Sequence, residues 1–179
     1  LVNKQKIAVL SGKGTSSLSY GEIWHFLEQQ LHYPITSINT ENLSRTDLNK
    51  FNVLIIPNGS YKSVLDDKNM KKLTSWVRSG GKVIALDRAL KSFANKEGFS
   101  LKNKDLQDDE KKDNLTAYAD RERESSSTSI TGAIFKTKVD QTHPMAFGYG
   151  DDYFTLKRGS SNYSLLDSGY NVAHIEDTK

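Results

Sequence analysis

With 179 residues, 25 Lys and Arg against 22 Asp and Glu, and a formal charge of only +3, the chain has the length of one ordinary domain and little net field. Its basic residues are scattered rather than interleaved with aromatics, which argues against a nucleic-acid or anionic-membrane partner. The absence of cysteine excludes disulfides, thiolate metal sites and cysteine nucleophiles together, while leaving the redox compartment open.

The opening Leu1-Val2-Asn3-Lys4 carries neither an initiator Met nor an apolar signal run, and no stretch of about 18 apolar residues follows. The chain therefore reads as an internal piece of a longer protein. Lys6 to Ser11 has the continuous apolar character of a buried strand, and Gly12 to Ser17 follows as a turn. Tyr20, Ile23, Trp24, Leu27 and Leu31 then recur at helical spacing, predicting a helix packed on the sheet and closed by Pro34.

Ile35 to Asn39 and Asn52 to Pro57 are the next strands, the second wholly apolar at its centre. A second helix is predicted from about Asp66 to Ser79, burying Met70, Leu73, Trp76 and Val77 and ended by Gly80-Gly81. Lys82 to Leu86 is the fourth strand, and the order becomes β-α-β-β-α-β-α. Residues 102 to 124 are dense in charge and poor in apolar side chains, a solvated excursion or mobile loop. Gly132 to Val139, Tyr153 to Leu156 and Tyr170 to Ile175 read as strands of an antiparallel extension of the sheet.

In open α/β sheets ligands gather beyond the carboxyl ends of the strands, which directs attention to Gly12 to Ser17, Asn58 to Lys62 and Asp87 to Leu90. Gly12-Lys13-Gly14 begins like a dinucleotide loop, but Ser17 stands where the third glycine belongs, and the P-loop order is not met. The bland reading is a turn; the functional one is anion binding by its amides. A nucleophile elbow is expected after the fourth strand, where Ala85-Leu86-Asp87-Arg88-Ala89 offers no thiol or hydroxyl. Asp87 reads as a cap for the following helix, with a carboxylate nucleophile or base as the sharper alternative.

His25 and Glu28 form a His-x-x-Glu pair with Glu22 three residues earlier on the same side of the first helix, and with only four histidines and no obvious partner they read as a surface pair. His174 and Glu176 have the spacing of a base and its orienting carboxylate, without a nucleophile to activate. His143-Pro144 reads as a proline-locked turn, and the run Tyr118 to Glu124 as a solvated helix face.

Taken in order, KIAVLSGKGTSS, YGEIWHFLEQQ, YPIT, FNVLIIPNGSY, WVRSGGKVIALD and THPMAFGYG resemble a class I glutamine-amidotransferase-like domain. More narrowly, they resemble the version that follows bacterial zinc carboxypeptidases of the carboxypeptidase A type. The resemblance implies a three-layer flavodoxin-like fold, a mostly parallel sheet with helices on both faces, and a secreted or periplasmic protein. It also implies an N-terminal peptidase domain as partner, with the zinc held there and no cofactor in this segment. The amidotransferase cysteine falls near Asp87, so glutamine hydrolysis is not carried over. The expectation is a non-catalytic accessory domain for packing, substrate presentation or binding. The alternatives are a small-molecule or carbohydrate-binding module with Gly14, Ser16, Ser60, Tyr61 and Arg88 on its rim, which would also admit a peptide, and a hydrolase using Asp87 with His174.

Overall fold

The computed structural model describes residues 4–104, 119, 122–123, 132–157, 159 and 161–176. Most of the charged excursion expected at 102–124, including most of Tyr118 to Glu124, lies outside the described residues. The chain divides into two compact units, Leu1–Gly98 and Phe99–Lys179.

The first unit is built on four parallel strands, β1 (Ile7–Ser11), β2 (Ile35–Asn39), β3 (Val53–Ile56) and β4 (Lys82–Ala85), in the order β2-β1-β3-β4. The two central strands carry the continuous apolar runs, because a strand covered on both faces has no solvated side to alternate with. Ala8, Val9 and Leu10 of β1 and Leu54 and Ile56 of β3 are completely buried. On the edge strand β4, Ile84 is half exposed.

Helix α1 (Ser17–Trp24) opens with Ser16 as its N-cap, whose hydroxyl accepts from the Ser19 amide. It does not continue as the α-helix that the apolar spacing predicts. From His25 to Gln30 the chain winds as a π-helix, and His32, at φ +51°, stops it before Pro34. No residue of α1 or the π segment is fully buried, and Trp24 and Leu31 remain substantially exposed. An i→i+5 turn advances each residue by less than the roughly 100° of an α-helix, so a stripe drawn at α-helical spacing slides off the packed face.

Helix α2 (Asp67–Arg78) follows its prediction closely. Asp66 caps it by accepting from the Asn69 amide at 2.8 Å, and Leu73 and Trp76 are buried, with Met70 and Val77 at partial depth. Gly80, at φ +102°, ends the helix, and Gly81 lies so close to the Trp76 ring that a Cβ there would stand 2.3 Å from it. After β4 the chain forms a six-residue 3-10 segment, Asp87–Ser92, rather than the α-helix the order implies.

The second unit holds an antiparallel sheet of β5 (Ala133–Val139), β6 (Asp152–Lys157) and β7 (Ala173–Ile175), in the order β6-β5-β7. These strands pair among themselves, so the predicted extension of the parallel sheet is instead a separate sheet. The chain is thus α/β in character, with a parallel four-stranded sheet and helices in one unit and a separate antiparallel sheet in the other.

Candidate functional site

The segment after β1 and the segment after β3 are joined by backbone. Thr15 and Gly59 form an antiparallel bridge, the Ser60 amide donates to the Gly14 carbonyl at 2.8 Å, and the Ser16 amide donates to the Asn58 carbonyl at 2.9 Å. Glycine is required on both sides. A Cβ on Gly14 would stand 2.5 Å from the Ser60 carbonyl oxygen and one on Gly59 2.2 Å from that of Gly14, and Gly14 has φ +86°. Tyr61, only 1% exposed, hydrogen-bonds through its hydroxyl to the Pro57 carbonyl at 2.9 Å and the Thr15 hydroxyl at 3.1 Å. Burial raises its phenol pKa above 10, partly opposed by the bond to Thr15.

These bonds decide what the Gly-Lys-Gly turn can do. The Thr15 amide donates to the Gly12 carbonyl and the Ser16 amide to Asn58, so both are already committed inside the protein. A Cβ on Gly12 would meet Asn39 at 2.9 Å. The turn is therefore a structural junction between β1, β2 and the segment after β3, with Gly14 and Ser16 both bonded within it.

A cleft of about 390 Å³ opens one strand further along, between the segments after β3 and β4. Its wall is formed by Gly59, Ser60, Tyr61, Lys62 and Leu65 from the first and by Arg88, Lys91, Ser92 and Lys96 from the second. Ser60, Tyr61 and Arg88, three residues of the predicted rim, meet here. Lys62 closes one of the segments singled out in the sequence, whereas Lys91 and Lys96 were not picked out, because each is an ordinary exposed lysine until the two segments face one another. Among the described residues, the wall carries four cations and no carboxylate.

Asp87 is the first residue of the 3-10 segment and has φ +49°. Leu86 occupies the cap position and no side chain bonds to the segment's amides, so the predicted capping role of Asp87 is not the observed one. A left-handed non-glycine residue at a strand-to-helix turn is the backbone shape of a nucleophile elbow. Asp87 thus has the strained backbone of an elbow with a carboxylate in place of a hydroxyl or thiol.

The remaining candidates have local partners. Glu28 accepts from the Trp24 indole at 2.8 Å and from the Ile35 amide at 3.2 Å, tying the π segment to β2. His25 is exposed and Glu22 likewise. His143 caps the 3-10 turn Pro144–Ala146 by accepting from the Met145 amide through Nδ1 at 3.2 Å. Among the described residues, no group of three or more His, Asp or Glu side chains is placed to hold a metal ion, and no helix is long and apolar enough to cross a membrane.

Asp87 belongs to the first unit, and His174 and Glu176 to the second. His174 lies opposite Lys138 in the β5–β7 register, and its Nδ1 is buried without a hydrogen-bond partner among the described residues. Glu176 acts on a different neighbour: the Lys136 ammonium is held above its ordinary pKa first by its bond to Asp152, at 2.8 Å, and to a smaller extent by the Glu176 charge.

No protein-family model matches the chain, and no curated protein does. Among solved structures it is similar to the crystal structure of SMU.1228c, at 10% sequence identity and a TM-score of 0.53, over 94% of this chain and 67% of that one. At that identity the likeness speaks to the fold alone.

Proposed function

We propose that the parallel-sheet unit is a non-catalytic binding module that takes a small molecule or peptide in the cleft between the segments after β3 and β4. The observation that carries this reading is the meeting of Ser60, Tyr61 and Arg88 on one wall, at the sheet edge where α/β folds bind their ligands. The strand order β2-β1-β3-β4 is compatible with a flavodoxin-like arrangement, with helices on both faces. In such a sheet the switch point lies between β1 and β3. Here the loops flanking it bond to each other, which moves the open site to β3 and β4.

The side chain at the turn after β4 supports the non-catalytic reading. Asp87 lacks the hydroxyl or thiol that acyl-transfer chemistry requires there. With the sequence resemblance, this favours an accessory domain of a secreted or periplasmic zinc carboxypeptidase, presenting or retaining substrate beside the peptidase domain that holds the zinc.

The test is a pair of measurements on the whole chain. Glutaminase, esterase and peptidase assays are expected to show no turnover; robust turnover abolished by Asp87→Asn or His174→Ala would make the protein a hydrolase instead. Thermal-shift measurements with millimolar saccharides, peptides and small carboxylates are expected to give at least one stabilising ligand whose effect is lost in Arg88→Gln. A flat response across that panel would remove the binding reading.

A further inference from the structure

We propose that the cleft is a site for a phosphorylated small molecule, an inference that rests on the binding-module reading and gives its ligand a chemical class. Lys62, Arg88, Lys91 and Lys96 all line the cavity, and none of them makes an ion pair with another described residue. Four cations around one cavity, without an ion pair among the described residues, repel one another, and the arrangement is relieved by a ligand of more than one negative charge.

The acidic residues next to these positions in sequence do not provide that charge from within. Asp66 is spent on capping α2, and neither Asp67, Asp87 nor Glu97 lines the cleft. Among the described residues, the lining of the cleft is therefore positive in a chain whose total charge is only +3.

The kind of anion follows from the donors. Arg88 offers a planar fork suited to two oxygens of one oxyanion, and three ammonium groups add point charges around it. The Ser60 and Ser92 hydroxyls complete the donor set. A single carboxylate would leave most of that charge uncompensated, whereas a phosphate monoester carries about −1.5 to −2 at neutral pH and three acceptor oxygens. The Tyr61 hydroxyl is already bonded to Pro57 and Thr15, and Tyr61 and Leu65 are the large apolar residues of the wall. The cavity, at about 390 Å³, has room for an organic group attached to the phosphoryl.

Isothermal titration of the whole chain with glucose 6-phosphate, inorganic phosphate and glucose, at low and high salt, tests the assignment. Binding of glucose 6-phosphate without binding of glucose is expected, weakened about tenfold or more by Arg88→Gln or Lys91→Gln and by added salt. Inorganic phosphate is expected to compete. Lys50→Gln, on an exposed lysine outside the cleft, is expected to leave affinity unchanged.

Glucose bound as tightly as its phosphate, with the charge variants neutral, would overturn the phosphoryl assignment and leave the binding module standing. An equal loss in Lys50→Gln would mean a diffuse field and would also overturn it. Binding of neither sugar overturns this inference, and the wider ligand panel then decides the module reading on its own.

Discussion

Tyr61 is the residue on which the junction beneath the cleft turns. Its hydroxyl is fully enclosed with two partners, and Tyr61→Phe leaves the Pro57 carbonyl without its donor while keeping the ring. A loss of about 1 to 3 kcal/mol in urea unfolding is expected, the usual cost of stranding a buried acceptor. The pH dependence has a definite sign. Because the native pKa is raised above 10, the unfolded chain releases the phenolic proton first as pH rises. The stabilisation is complete below pH 10 and is lost as pH climbs from there through the native pKa. The difference in stability between wild type and Tyr61→Phe should therefore shrink with pH above about 10 and be flat below it. A difference growing in that range would contradict the burial argument. Asp87 offers a second test. Asp87→Val places a β-branched side chain at φ +49° and is expected to cost about 1 to 2 kcal/mol by thermal melt, whereas Asp87→Gly is expected to be near neutral or stabilising.

Among the elements, α2 shows what the sequence made legible and what it left hidden. Its acidic start, the apolar positions Leu73 and Trp76, and the paired glycines beyond Ser79 are local signals, each visible in one turn of chain. Lys72 carries no such signal. Its ammonium donates to three carbonyls of the connection between β2 and β3, those of Leu43, Ser44 and Thr46. All three donors of the group are used, and the partners lie 26 to 29 residues away, a relation that only the folded chain displays. Lys72→Met keeps the stem and removes the donors, and a destabilisation of roughly 1 to 3 kcal/mol is expected in chemical denaturation. A change within about 0.5 kcal/mol would class Lys72 as an ordinary surface lysine. The π segment was hidden for a related reason: Glu28 reads as half of a His-x-x-Glu pair, but its oxygens are taken by Trp24 and Ile35, and one of those partners belongs to the next strand.

At the scale of the whole molecule, the distribution of buried apolar residues separates the two units. Among the described residues, every fully buried apolar side chain from Ala8 to Ala94 belongs to the first unit, and Ala146 alone represents the second. The parallel order of the first sheet was readable because a buried strand announces itself by an unbroken apolar run. The antiparallel strands were found too, but not that they pair only with each other, since strand pairing is a long-range choice that alternation does not encode. The consequence is an asymmetry in autonomy. A polypeptide of residues 1–98 contains all but one of the buried apolar side chains and every residue of the cleft wall among the described residues. It is expected to unfold cooperatively in urea and to keep the ligand response lost in Arg88→Gln. A polypeptide of residues 99–179 leaves Ile134, Phe147, Phe154, Leu156 and Tyr170 each more than 60% exposed, and among its described residues Ala146 is the one fully buried apolar side chain. It is expected to give a broad transition without a folded baseline. A sharp two-state transition for the second piece, or none for the first, would show that the core does not partition as the burial pattern does.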